Sequence, residues 1–495
     1  MNSTLKSIVV IFYLLVPLFI TGQHSGNFLA VDTLTYNSYI NQDWSRLITV
    51  GDRALNNGID YYYLRMRLGI ASYEQRKYTK SVKHLRKALD FNFNEPNAQL
   101  QLYNSYLFLG KNNLARQLRG KFSENTEKLV TKNNPVFSSI EIGGGKVFSD
   151  NLEKNSDFVT GSNNDTIPGF EVQIGNKYVI YALTGINISP SISYTLGFNY
   201  LEIEKRAAFQ FVDVSLNLDS VSIENWGYQN YYSVNLENKR KYFDNSIIQN
   251  ELYQSIRFQL NNYWAVSLFG NLVFVDTKRV QIHSDSNRIS RVNYQVTDQQ
   301  PVFFDFTYDS VYFIESDSSF VDYVIGFNLE KDLGGVSLNL ISTYSSLNKT
   351  NQFQTGLSSY YFLLPSADFY GLSTVYFFYQ ERLSGATDTD IILIQKLGGK
   401  LIKKLWGEVN FTYGIIPNSN LGNGYFIYNQ VDNVKYKAGM KLKWIFNENL
   451  SLSLYYNYAK YEGSFYRFAT DGGEAEVIPR YYESNNLIGG LTWNF

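Results

Sequence analysis

Two hydrophobic patterns divide the chain. Over residues 33–132 apolar positions recur at helical spacing, and the pattern repeats with a period of 34. Trp44, Tyr78 and Asn112 stand 34 apart, as do Leu47, Ser81 and Ala115, then Ala54, Ala88 and Phe122. After Asn133-Asn134-Pro135 the period changes to two. Ile192, Tyr194, Leu196, Phe198 and Tyr200 alternate with Ser193, Thr195, Gly197 and Asn199. Val409, Phe411 and Tyr413 alternate with Glu408, Asn410 and Thr412, and Leu450, Leu452, Leu454 and Tyr456 with Ser451 and Ser453. The first pattern predicts paired helices over 33–132. The second predicts antiparallel strands over 135–495.

A 34-residue period with small residues where paired helices meet resembles tetratricopeptide (TPR) repeats, about three of them and most clearly over residues 60–91. Tyr103 stands where such repeats place a glycine and Phe122 where they place an alanine, which fits a modified terminal repeat. The resemblance implies a stacked array whose first helices line a groove for a partner protein. Tyr63, Met66, Ile70 and Tyr73 of the second repeat and Asn97, Leu100 and Asn104 of the third are the groove candidates. Their aromatic and aliphatic character suits a protein surface better than a small polar ligand.

In the period-two region the apolar sets are large and aromatic toward the strand ends, whereas the opposing sets are small or polar. A soluble sandwich turns its apolar set toward a core, but a membrane barrel turns it toward lipid and lines its lumen with the polar set. Composition sharpens the choice: 41 Tyr, 35 Phe and 6 Trp make 17% of the chain aromatic, and only 18% is charged. No apolar run reaches the roughly 20 residues of a spanning helix. Lys6, the apolar stretch from Ile8 to Ile20, and Thr21-Gly22-Gln23 read as a secretory signal peptide over residues 1–22. At the other end, NLIGGLTWNF puts Leu487, Leu491, Trp493 and Phe495 on one face. It resembles the closing strand of outer-membrane barrels, and the resemblance implies that Trp493 and Phe495 signal to the barrel-insertion machinery.

Short turns are expected near residues 189–191, 261–262, 332–335, 365–368, 404–406 and 447–449. With longer connections on the other side, the longest near 205–241 and 279–316, they predict about 14 strands. The expected fold is a short α-helical TPR solenoid over 33–132 followed by an antiparallel transmembrane β-barrel over 135–495. Its expected location is the bacterial outer membrane, with the helical repeats in the periplasm and long loops outside the cell.

Chemistry is sparse. There is no cysteine, and the three histidines, His24, His84 and His283, are scattered. No triad, metal site or cofactor site is expected, and the chain reads as non-enzymatic. A net charge of −1 gives no footprint for nucleic acid. Charge is nevertheless unevenly spread. Residues 33–132 carry 16 Lys+Arg against 8 Asp+Glu, a net +8, and residues 133–495 carry 27 against 36, a net −9. Alternation assigns Lys396, Lys400, Lys404, Lys435, Lys437, Lys441 and Lys443 to one inward wall. Glu141, Glu251, Asp322, Glu330 and Asp332 fall on inward faces elsewhere. Repeats joined to a barrel resemble proteins that couple a periplasmic machine to an exit in the outer membrane, the exopolysaccharide exporters among them. The resemblance implies a docking platform in a multiprotein envelope complex that binds another outer-membrane or periplasmic protein through the repeats. The alternative is a conduit for anionic or zwitterionic solutes or exopolysaccharide, guided by the lysines.

Overall fold

The computed structural model describes residues 28–130, 135–163, 165–224, 227–293, 302–381, 387–468 and 476–495. The expected signal segment lies outside them. The chain divides into two compact units, Met1–Gly110 with Phe122–Val130, and Lys111–Lys121 with Thr131–Phe495.

In the first unit α1 (Phe28–Ile40), α3 (Tyr62–Glu74) and α5 (Pro96–Phe108) begin 34 residues apart. So do α2 (Trp44–Asn56), α4 (Tyr78–Phe91) and α6 (Asn112–Arg119), although α6 belongs to the second unit. A short α7 (Glu124–Glu127) completes the set. The period in the sequence is therefore a period of helix pairs. Leu47, Leu64, Leu68 and Ala71 form the buried core, with Trp44 and Tyr61 packed against it. Small residues mark close approach: a Cβ on Gly69 would stand 2.5 Å from Leu85 Cδ2 and 3.3 Å from the Leu85 backbone nitrogen. Where the glycine and alanine are missing, Tyr103 and Phe122 meet edge to ring, 5.8 Å between centroids.

The second unit contains α6, a one-turn α8 (Asn151–Lys154) and fourteen strands. These are β1 (Phe137–Ser149), β2 (Gly169–Ser189), β3 (Ile192–Glu224), β4 (Gly227–Gln259), β5 (Trp264–Asn293), β6 (Val302–Asp332) and β7 (Val336–Leu347). They continue with β8 (Thr350–Phe362), β9 (Phe369–Glu381), β10 (Thr387–Ile402), β11 (Leu405–Leu421), β12 (Phe426–Ile445), β13 (Leu450–Arg467) and β14 (Val477–Asn494). Each pairs antiparallel with its sequence neighbours, and β1 closes on β14 from Ser139↔Asn494 to Ser149↔Ser484. Closure satisfies the backbone groups that lipid cannot.

Leu268, Phe274, Val409, Phe411, Leu452, Leu454, Leu487 and Leu491 are exposed on the outer surface, whereas Asn199, Gln249, Thr343, Gln354 and Ser453 are buried inside. Apolar outside and polar inside is the inverse of a soluble protein and the signature of a transmembrane barrel. Among the described residues no helix is long and apolar enough to cross a membrane. Trp493 and Phe495 are exposed at the seam, where the Phe495 amide donates to Ser138 O at 3.3 Å and its ring lies 6.2 Å from that of Phe137.

All six short turns lie within two residues of their expected places. Among the described residues most of the two longest expected connections is strand rather than loop. β3 and β4 each run for 33 residues, and β5 and β6 for 30 and 31, where about 10 suffice to cross the hydrocarbon. The ladders simply continue beyond the membrane-crossing length.

His84 is buried in α4 with Nδ1 3.1 Å from Arg65 Nη1. Burial, reinforced by the Arg65 charge, pushes its pKa down from 6.5 to about 4. The fold thus holds the neutral imidazole, and the unfolded chain takes up a proton first as pH falls. Stability is complete above pH 6.5 and is lost progressively toward pH 4, by about 3 kcal/mol. Thermal unfolding of the helical far-ultraviolet signal in the full chain should therefore shift downward between pH 7.5 and 4.5. His84→Gln should flatten that dependence, and an unchanged slope would refute the assignment.

Candidate functional site: the lumen and the hairpin that crosses it

β11 stays in the wall as far as Tyr413, where its ladder with β10 ends, and β12 enters the ladder with β13 at Asn433. The register breaks between Tyr413 and Ile416 and between Ile416 and Asn418 on β11, and between Val434 and Tyr436 on β12. Bulges at one level on both strands bend a hairpin. Gly414 adopts φ +130° at the bend, where a Cβ would lie 2.4 Å from Ile391 O. Beyond it the two strands pair again from Asn418↔Asn429 to Leu421↔Phe426. Gly422, Asn423 and Gly424, at φ +60°, +58° and +76°, turn the tip in left-handed backbone that glycine and asparagine tolerate.

The hairpin crosses the lumen to the opposite wall. Asn271 Nδ2 on β5 donates to Gly424 O at 3.1 Å, and Tyr425 OH donates to Asn199 Oδ1 on β3 at 3.2 Å. Gln354 Nε2 on β8 donates to Asn420 O at 2.6 Å, and Asn429 Nδ2 donates to Asp322 Oδ2 on β6 at 3.0 Å. Leu421 and Val434 join Tyr253, Phe269, Tyr376 and Ile392 in a buried cluster, with Tyr425 and Tyr428 packed against it. The edge of β13 that β12 vacates is not left bare. Over Phe465 and Tyr466, β13 pairs with β14 on one side and with β2 on the other.

The bulges redistribute the expected lysine wall. Lys437 points inward, beside Ala459 in register, and donates to Tyr428 OH at 3.2 Å. Lys441 and Lys443 also face inward and, with Tyr370, Trp406 and Glu408, line a cavity of about 290 Å³ near the turn end. Lys441 lies over the Tyr455 ring, and Tyr370 OH donates to Glu408 at 2.8 Å. Lys435 differs from expectation: the bulge reverses the alternation, Val434 is buried inside, and Lys435 pairs instead with Glu462 at 2.7 Å. Lys396 is partly buried on the inner face of β10, and Lys400 is exposed near its end. Lys404 lies in the β10–β11 turn and donates to Phe446 O at 2.9 Å, so it is not part of a wall.

The acidic residues do not form an opposing free surface either. Glu251 accepts from Asn199, Gln249 and Asn271, Asp322 from Asn348 and Asn429, and Glu141 from Tyr181 OH at 3.0 Å. Glu330 pairs with Arg257 at 2.7 Å. Asp332 sits at the end of β6 rather than along the lumen. It binds Lys111, the Gly334 amide at 2.9 Å and Ser337 Oγ at 3.0 Å. Nearby in the same unit Gln117 of α6 donates to Gln259 O at 3.0 Å and Arg116 to Asn187 Oδ1.

Beneath the hairpin lies a chamber of about 150 Å³ bounded by β1–β4, the hairpin and β12–β14. Lys177 of β2 and Lys437 both open onto it, and Asp432, buried and hydrogen-bonded by Tyr482 OH at 2.8 Å, is close by on β12. Neither Lys177 nor the hairpin was legible from alternation. The signal available was the Gly-Asn-Gly turn, short for a loop-side connection, flanked by apolar residues on both faces.

On the helices, Tyr63 and Asn97 are exposed, Met66, Tyr73, Leu100 and Asn104 are half-buried, and Ile70 is buried in the helical core. Among the described residues no cluster of His, Asp and Glu is arranged to hold a metal ion.

No protein-family model and no curated protein matches the sequence. Among solved structures the chain is similar to a Pseudomonas aeruginosa FadL homologue, with 9% identity over 81% of this chain and 94% of that one and a TM-score of 0.41. It is also similar to the P. putida toluene transporter TodX, with 9% identity, coverage of 73% and 91%, and a TM-score of 0.36. A bacterial polysaccharide outer membrane secretin gives 7% identity, coverage of 73% and 100%, and a TM-score of 0.33. Likenesses this distant carry neither substrate nor partner to this chain.

The hairpin should depend on its glycines. Gly424→Val puts a β-branched side chain at φ +76°, with Cβ 3.0 Å from the Phe269 ring. A left-handed residue of that kind costs about 1–2 kcal/mol. Amide hydrogen exchange in the peptide covering 418–434 should accelerate about tenfold, while the barrel keeps its heat-modifiable gel mobility. Unchanged exchange would mean the hairpin is not held at its tip.

Proposed function

We propose that this protein is an outer-membrane conduit that rests closed, with the β11–β12 hairpin as its plug. The observation that carries the reading is the set of hydrogen bonds from the hairpin to β3, β5, β6 and β8 across the lumen. A barrel serving only as an anchor could fill its interior with wall side chains. Here two bulges and a strained glycine bring a separate element inside, and its removal would leave a polar, 14-stranded lumen. Inward-facing Lys437, Lys441 and Lys443 would then meet passing solutes.

Planar-bilayer recordings test this. Replacing residues 418–432 by a Gly-Ser turn should raise conductance at least tenfold over the unaltered chain. Because the chain has no cysteine, Asn348→Cys with Asn418→Cys, whose parent side chains meet at 2.7 Å, can be bridged by a bifunctional thiol reagent. That bridge should hold the full-length protein shut. A shortened barrel that inserts normally and passes no current would overturn the proposal.

A second reading concerns the helices. Pairs recurring every 34 residues support a TPR array in the periplasm, and the exposed Tyr63 and Asn97 with half-buried Asn104 on the first helices suit a docking face. In this reading the barrel works as a subunit of an envelope complex and the repeats recruit its partner. Tyr63→Ala with Asn104→Ala should release the partner that co-purifies with the native protein by about tenfold, without loss of insertion. Co-purification that survives this change and removal of residues 33–110 would sink the docking role.

A further inference from the structure

The chamber beneath the hairpin has a composition that specifies a ligand. We propose that it binds a small organic monocarboxylate with an apolar body of about benzene size, its carboxylate held by the Lys437 ammonium. The proposal deepens the conduit reading by naming a solute class and rests on that reading for its physiological role.

Two ammonium groups, Lys177 and Lys437, open onto a space of about 150 Å³, and the residues that line it include no Asp or Glu. Lys177 lies against the Tyr461 ring, its nitrogen 5.7 Å from the centroid, and has Asp432 in its neighbourhood. Lys437 meets Tyr428, through a 3.2 Å hydrogen bond to its hydroxyl and an approach of 5.7 Å to its ring. Those contacts use one of the three donors an ammonium carries. An ion pair for Lys437 is absent among the described residues. Lys437 is half-buried, and a cation drawn partly out of water is favoured by an anionic partner. The chamber is where such a partner fits.

The remaining lining sets the rest of the molecule. Val179, Leu201, Ile203, Ile427, Val434 and Ile488 also line the space with aliphatic carbon. That surface disfavours a fully hydrated anion such as inorganic phosphate and favours one that carries an apolar group. The volume is that of a cavity that holds benzene. Amides line it as well. Asn429 Oδ1 and Asn486 Oδ1 are buried without a hydrogen-bond partner, and both residues line the chamber. Asn429 Nδ2 is spent on Asp322, so its Oδ1 is left to accept from a water, whereas the Asn486 amide can turn its nitrogen to a carboxylate oxygen. Ammonium groups, the Asn486 amide and aliphatic lining make a site for an amphipathic monoanion, and a bulky sugar chain does not fit it.

The test is calorimetric titration of the full-length protein in detergent with benzoate, hexanoate, benzyl alcohol and inorganic phosphate. Benzoate or hexanoate should bind at least tenfold more tightly than benzyl alcohol and than phosphate. Lys437→Met keeps the length of the side chain and removes its charge. It should weaken carboxylate binding at least tenfold while leaving benzyl alcohol where it was. Lys404→Met, in the β10–β11 turn, should change neither. Retained heat-modifiable mobility confirms that the variants are folded. Equal affinity for benzoate and benzyl alcohol, tighter binding of phosphate, no binding at all, or carboxylate binding that ignores Lys437→Met would each overturn the proposal. Binding by a protein whose shortened-hairpin form never conducts would preserve the site and end the conduit reading. Conduction without carboxylate binding would do the reverse.

Discussion

A backbone placed in lipid has no water to bond, so every strand edge at membrane depth must find another strand. Ring closure from β1 to β14 meets that demand once and for all, and the other features follow from it. Side chains alternate across a closed ring, so the aliphatic and aromatic sets face outward and the amides and hydroxyls face in. The interior is then large and polar, and it needs either water or protein to fill it. In this molecule protein fills it, supplied by the wall itself.

Taking two strands from the wall creates a new edge, and the structure resolves it by bringing β2 against β13 over Phe465–Arg467. The same economy appears inside. Carboxylates that might have repelled one another are each engaged: Glu251 by three amides, Asp322 by the hairpin and the β7–β8 turn, and Glu330 by Arg257. Tyr181, hydrogen-bonded to Glu141, lies across Gly143 and Gly490 at the closing seam, where a Cβ on Gly143 would come within 2.5 Å of its ring. The lumen is a network rather than two charged walls. Lysine is the exception, with Lys437, Lys441 and Lys443 opening onto cavities.

Most of the architecture was readable in the sequence, and the reasons are physical. A period of two states which side of a sheet a residue occupies. Turns such as Asn447-Glu448-Asn449 announce themselves because Asn447 Oδ1 caps the amides of Asn449 and Leu450. The 34-residue period survives as the spacing at which the helices begin. What could not be read was anything that breaks the period. Alternation, which continues smoothly through the sequence at that point, assigns Lys435 to the lumen; only a bulge, a property of the pairing, turns it out and brings Val434 in. Asp332 looked inward by register, but its partner Lys111 lies 221 residues away, beyond any local pattern. The chamber is likewise assembled from eight separate segments, none of which carries a motif.

Of the two edges the hairpin leaves, that of β13 is taken over by β2, and that of β10 over Thr387–Ile392 has no second strand partner among the described residues. Among the described residues the ladder from β10 to β11 ends at Leu393, although β10 itself continues to Thr387. A hairpin returning to the wall would regain bonds with Ile392 and its predecessors as it gave up those to Asn271, Gln354 and Asp322. Hydrogen bonding therefore nearly cancels between the two arrangements, each bond netting only about 1 kcal/mol in any case. At the tip, Leu421 is buried with Tyr253, Phe269 and Tyr376, and Tyr425 packs against them. If the hairpin is the plug proposed above, this packing helps hold it, and because such burial weakens on cooling, the plug would be held less firmly in the cold.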